Sequence, residues 1–210
     1  MNELDLQRAS YARVSSIIGR QNEAELRSIP LEHLVEASLR GTAIHGYCSS
    51  FLKSLWIPEI VPEYLPYFEA FKKWDRENGS DVVYCDHRMY DDELRFTGEI
   101  DAVFKTKQGK TLLIDIKTSS KESRAWPLQL AAYRHLLKLS GLHVDACCVV
   151  HLKVKKRGEF VRDGGSRQMI TPPVVDYNEI FYDDLDKSFD IFLSALECYR
   201  YFETKEASHV

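Results

Sequence analysis

The chain has 210 residues, 44% hydrophobic and 29% charged, with a formal net charge of −4. That length suits one compact domain with elaborations, and the composition is that of a soluble globular protein. No apolar run approaches the ~20 residues a bilayer-spanning helix needs, and the acidic balance does not mark the whole molecule as a nucleic-acid binder.

The start, Met1-Asn2-Glu3-Leu4-Asp5, offers no basic region and no apolar signal core, so a cytoplasmic location and no membrane association are expected. The segment 1–79 reads as mostly helical, punctuated by Pro30, Pro58, Pro62 and Pro66. After Gly41 an apolar stripe runs through Ile44, Cys48, Phe51, Leu52 and Leu55, with His45 beside it. Strands are predicted near 82–90, 95–106 and 111–117. A helix follows at 128–139, with Pro127 suited to its first turn and Gly141 to its stop. Gln129 and Tyr133 share one face of that helix at i, i+4 spacing. A buried strand is expected at 144–155, then a polar loop from 158 to 173 holding Gly164-Gly165, and a last helix over about 184–201. The fold class is therefore α/β, a central mixed β-sheet flanked by helices with a mostly helical N-terminal region. We expect one domain over 1–210, with its core at 80–160 and a C-terminal helical region at 176–205.

The second and third strands carry the chemistry. Lys107-Gln108-Gly109 reads as a three-residue turn with Gly109 in the left-handed region and a bulge beside it. Counting back from that turn sets Asp101 opposite Asp115 and Glu99 opposite Lys117. One face then carries Glu99, Asp101, Asp115 and Lys117, and the other Ile100, Ala102, Phe104, Leu112, Ile114 and Ile116. A two-residue turn would shift the register by one and bury a carboxylate among the apolar set. Opposed carboxylates about 5 Å apart at Cβ repel unless a cation lies between them or one is protonated. An oxygen-liganded Mg²⁺ would fit that gap. The same charges also suit a plain solvated face with Glu99 and Lys117 as a cross-strand pair.

Further features fall in a fixed order: Gly41-Thr42-Ala43-Ile44-His45, then Gly98-Glu99-Ile100-Asp101, Asp115-Ile116-Lys117-Thr118 and Gln129-Leu130-Ala131-Ala132-Tyr133. With Arg13-Val14-Ser15-Ser16-Ile17-Ile18 upstream, this set resembles the RecB-like branch of the PD-(D/E)XK nucleases, near the small phage and mitochondrial exonucleases. The resemblance implies a restriction-endonuclease-like core. It implies His45, Asp101, Asp115 and the Ile116 carbonyl as ligands of Mg²⁺ or Mn²⁺, and Asp101, Asp115 and Lys117 as the catalytic set. Gln129 and Tyr133 would brace the site and the nucleic acid. The glutamate such sites often carry one strand earlier is absent; Asp86 is the nearest match, and Glu99 a substitute.

The activity this implies is metal-dependent hydrolysis of DNA phosphodiesters by an exonuclease acting on ends or single strands. Its setting would be recombination, repair or replication, with a recombination or replication protein as a partner. An endonuclease, restriction or junction-cleaving, and a non-catalytic DNA-binding module are the competing readings. Lys117 would orient or deprotonate the attacking water, or stabilise charge on the phosphorane. A neutral imidazole at His45 would be required, so activity should fall below about pH 6. The stretch 56–74 is read as a cover over a threaded DNA end. Lys105, Lys107, Lys110, Lys121, Arg124, Lys153, Lys155, Lys156 and Arg157 are candidate phosphate contacts. Cys48, Cys85, Cys147, Cys148 and Cys198 have no CxxC and lack the one-early, three-late spacing of an iron–sulfur site, so no such cluster is expected.

Overall fold

Residues 3–163 and 166–206 are described by the computed structural model. The N-terminal part is helical: α1 (Glu3–Ala9), α2 (Val14–Leu26), α3 (Leu31–Leu52) and α4 (Leu65–Asn78), interrupted by the two-residue strand β1 (Ala12–Arg13). Pro30 is the N-cap of α3, and Pro66 sits in the first turn of α4, where a missing N–H is no loss. α3 begins well before Gly41, and the apolar stripe ends with it; Leu55 lies past the helix and is 59% exposed. Among the described residues no helix is long and apolar enough to cross a membrane.

Strands β2 (Asp81–Asp91), β3 (Phe96–Lys105) and β4 (Thr111–Lys117) follow, then helix α5 (Trp126–Leu139) and strand β5 (Ala146–Lys156). The β3–β4 turn has the expected form. Gly109 has φ +77°, its N–H bonds to the Thr106 carbonyl, and Thr106 N–H bonds to the Lys110 carbonyl. α5 carries Pro127 in its first turn and ends at Gly141, φ +84°. The polar loop expected at 158–173 is instead a hairpin of β6 (Glu159–Asp163) and β7 (Ser166–Thr171), which pairs Phe160 with Met169 and Val161 with Gln168. Gly164-Gly165 lies outside the described residues. Strand β8 (Val174–Phe181) is an element the sequence pattern did not reveal, and helix α6 (Leu185–Glu206) closes the chain.

The main sheet runs β1-β3-β4-β5-β8, with β2 also on β3. β4 and β5 are parallel, while β2, β4 and β8 run antiparallel to their neighbours β3, β3 and β5. Helices cover both faces, which is why β4 reads Thr-Leu-Leu-Ile-Asp-Ile-Lys with almost no break in hydrophobicity. On one side, α3 and α4 bring Ile44, Cys48, Phe68, Phe71 and Trp74 against Phe104, Leu112, Ile114, Ile116 and Val150. On the other, α2, α5 and α6 bring Ile17, Leu130, Tyr133, Leu136 and Phe192 against Phe96, Ile100, Val103, Leu113 and Val149. Trp74 is fully buried, its ring 5.7 Å from Phe71 and 5.4 Å from Phe104, and its indole N–H donates to Glu179 Oε1 at 2.8 Å. Each such fully buried aromatic stabilises the fold by about 1.5–3 kcal/mol.

Two expectations need correction. Trp74 anchors a core helix, so the cover imagined over 56–74 can involve only the irregular stretch before Leu65, where Trp56 is 82% exposed. Ile100 does not share a face with Ala102 and Phe104. Ile100 and Val103 pack toward α5 while Ala102 and Phe104 pack toward α4, so the two-residue alternation of β3 breaks around Asp101.

Candidate active site

That break has a topological cause. β2 pairs along β3 from Phe96 to Lys105 and occupies one whole edge of it. The other edge is shared: β4 holds Ala102 to Lys105, and β1 holds Phe96 and Thr97. Between those two partners, residues 98–101 line an opening in the sheet. Where β4 has parted from β3, the N–H of Ile116 donates to Asp101 Oδ2 at 2.7 Å, so a carboxylate stands in for a ladder carbonyl.

Both helical layers reach this opening. From α3, His45 brings Nδ1 to 3.3 Å from Asp101 Oδ1. From β4, Asp115 and Lys117 point toward α5, with Lys117 Nζ 2.8 Å from Asp115 Oδ2. Lys117 Nζ also donates to Gln129 Oε1 at 2.9 Å, and Gln129 Nε2 donates to the Tyr133 hydroxyl at 2.8 Å. Tyr133 fits because residue 98 is glycine: a Cβ there would lie 2.6 Å from the ring carbon Cε1.

Electrostatics single out Asp115. It is 1% exposed; its Oδ2 pairs with the Lys117 ammonium, and its Oδ1 has no partner among the described residues. Burial pushes its pKa up; the Lys117 ammonium pulls it down, Asp101 pushes it up again, and the result is about 6. Asp101 is driven upward by burial too, but His45, Lys117 and the Ile116 N–H together hold it below the usual carboxylate range. Burial disfavours a charged His45, yet Asp101 outweighs it and raises the imidazole above its ordinary value. Lys117 behaves likewise: burial lowers it, while Asp115 and Asp101 raise it beyond an ordinary lysine. Lys117 is an ammonium at neutral pH.

Among the described residues no three His, Cys, Asp or Glu side chains converge into a ready cation cage. The donor chemistry nonetheless suits a hard divalent ion: an imidazole and two carboxylates at one opening, one carboxylate buried with one oxygen on Lys117 and the other without a partner among the described residues.

The two weaker candidates are engaged elsewhere. Glu99 is exposed and pairs with Arg88 on β2, not with Lys117. Asp86 has φ +54° and sits where the β2 ladder skips a pair opposite Asp101, but its Oδ2 is held by Ser49 Oγ at 3.0 Å and Lys53 Nζ at 3.2 Å. The basic turn lysine Lys110 lies roughly 17 Å up the hairpin from Asp115, at about 3.4 Å per residue, and Lys107 sits beyond it in the turn. Lys121 and Arg124 directly follow β4. Arg40 went unremarked in the sequence. Its Nη2 donates to the carbonyl of Thr118 at 3.3 Å, and its only signal was adjacency to Gly41-Thr42.

A model of the PD-(D/E)XK nuclease superfamily matches residues 10–188. A search of curated proteins finds no match. Among solved structures, a candidate exonuclease from Eubacterium rectale aligns at 13% identity over 99% of this chain and 87% of its own, with a TM-score of 0.55, a similarity of fold. An alkaline exonuclease from Laribacter hongkongensis aligns at 14% identity over 98% of this chain and 100% of its own, with a TM-score of 0.38.

Proposed function

The chain belongs to the PD-(D/E)XK nuclease superfamily, and on that premise we propose that it is a divalent-metal-dependent DNA exonuclease working at the opening beside β3. The observation that carries this reading is the meeting of His45, Asp101, Asp115 and Lys117 where β3 and β4 part, with Asp115 buried and its Oδ1 without a partner among the described residues. His45, Asp101, Asp115 and the Ile116 carbonyl would hold Mg²⁺ or Mn²⁺. When bound, such an ion supplies Lewis-acid polarisation of the phosphoryl oxygen and a more acidic water.

The chain's own groups do the rest. Water attacks phosphorus and gives up a proton to solvent, the bond to the leaving oxygen breaks, and the negative charge that grows on that oxygen is quenched by a proton from solvent. Lys117, held by Gln129, stands as a fixed donor facing that charge. Gln129 holds Lys117 in place and is in turn held against Tyr133, so the ammonium does not swing out to solvent. Asp101 fixes β4 through the Ile116 N–H and orients the imidazole of His45. The preference for ends draws on the resemblance of the motif set to RecB-like exonucleases.

The test is a time course on end-labelled single- and double-stranded DNA with Mg²⁺, Mn²⁺ or chelator. We expect cleavage only with metal, and a fall of at least about 100-fold for Asp115→Ala and for Lys117→Ala. Undiminished degradation by both variants would remove the site assignment. Efficient cutting of covalently closed single-stranded circles would replace the exonuclease reading with an endonuclease one. Binding without cutting under any metal would leave a DNA-binding module.

A further inference from the structure

Arg40 stands next to the reacting groups yet takes no part in the site described above. Its Nη2 reaches the carbonyl of Thr118, the residue directly after Lys117. Its guanidinium lies over the Tyr67 ring, 5.6 Å from the centroid, and its Nε is sealed from solvent with no acceptor. An arginine held this way keeps a fixed orientation and has donors to spare.

Arg40 lines a cavity of about 280 Å³. Tyr64 and Tyr67 line it too, with Arg157 and Phe160 at the root of the β6–β7 hairpin. Arg157 is exposed. Glu36 and Glu63 also line this cavity, so it is no general anion sink. It gathers two guanidinium groups and three aromatic rings at one cavity. That combination suits a nucleic-acid backbone with its bases splayed out, since bases stack on aromatic side chains while phosphates meet arginines. A duplex would hide the base faces that such rings require.

We infer that Arg40, Tyr64, Tyr67, Phe160 and Arg157 form a subsite for the nucleotides flanking the scissile phosphate on a single strand of nucleic acid. This inference rests on the nuclease reading for what lies at its inner end. Arg40 grips the phosphate next to the scissile one, Tyr64 and Phe160 take a base, and Arg157 takes a phosphate farther out.

The test is binding of fluorescein-labelled ten-residue oligothymidylate, followed by fluorescence anisotropy in chelator over a range of salt. Hydrolysis of thymidine 5′-p-nitrophenyl phosphate, which carries a single phosphodiester, is measured with metal in parallel. Arg40→Ala and Arg157→Ala should each weaken binding about tenfold and reduce the slope of log K against log salt by about 0.7. Tyr64→Ala should weaken binding about tenfold with the slope unchanged. Arg157→Ala and Tyr64→Ala should hydrolyse the one-phosphate reporter within about twofold of wild type. Lys187→Ala, exposed on α6 across the sheet from the cavity, should change nothing. Should Arg40→Ala fail to fold, Arg40→Lys, which keeps the charge and loses the planar stack, and Arg157→Ala carry the test.

Variants that match wild type in affinity and slope overturn the subsite even if the enzyme cuts DNA. Wild type that binds the strand with the expected variant losses, but hydrolyses neither substrate, keeps the subsite and removes the nuclease reading. Loss of reporter hydrolysis in Arg157→Ala and Tyr64→Ala assigns these residues to the integrity of the hydrolytic centre and also overturns it.

Discussion

Asp115 is a carboxylate that the folded protein would rather keep neutral. An unfolded aspartate titrates near 3.9, and burial beside Asp101 lifts this one to about 6. The unfolded chain therefore loses this proton first, and folding stability falls as pH rises from about 4 to 6, with the full penalty present above that. A rise of that size corresponds to something on the order of 2–3 kcal/mol. In chelator, Asp115→Asn should therefore melt higher than wild type at pH 7.5, with the gain fading by pH 4.5. A variant that is less stable at pH 7.5 than at pH 4.5, relative to wild type, would contradict this. The register of the β3–β4 hairpin, as far as Ala102 opposite Ile114, was legible because a turn with Gly109 in the left-handed region fixes it by counting; that the strands part just beyond, at Asp101, was not. The partners of Glu99 and Asp86 were not, because Arg88, Ser49 and Lys53 meet them only through tertiary packing.

At the scale of elements, the junction between β3 and α5 is set by one missing methyl group. Placing a Cβ on Gly98 drives it into the Tyr133 ring, and Tyr133 is the far end of the chain that steadies Lys117. Gly98→Ala should destabilise by about 1–3 kcal/mol through overpacking, a drop of roughly 3–10 °C in Tm, and should lower DNA cleavage as well. A melting curve that overlays wild type would show that the ring can shift without cost. Helices and inner strands were readable because burial gave them a strong period. β8 was not: as an edge strand it is half exposed along most of its length, so Val-Val-Asp-Tyr-Asn-Glu-Ile-Phe shows no clean alternation. Its place is settled instead by long-range partners such as Lys73 with Asp176 and Trp74 with Glu179. The β6–β7 hairpin was hidden for a related reason, since Val161 and Ile170 remain exposed and follow no core face.

Seen whole, the molecule is an acidic body with its cations gathered in a few places. A net charge of −4 gives nucleic acid no long-range attraction, so affinity must come from a small number of local phosphate contacts. With about three phosphates neutralised, binding of a single strand should weaken roughly 20-fold between 50 and 200 mM salt. A change under threefold, read by anisotropy in chelator, would mean that phosphate contacts do not carry the affinity. The three-layer arrangement followed from the order of the elements along the chain. The opening did not, because it depends on a two-residue strand too short to leave a pattern.

That strand frames the doorway as its weaker post. Two residues, paired in parallel with Phe96 and Thr97, are what hold β1 to the sheet, and they lie a few residues from the beginning of the described chain. A pull on the N-terminal arm would load the Arg8–Asp92 ion pair first and then β1, the strand that borders the opening. An affinity handle fused at that end is the one to avoid when activity is to be measured.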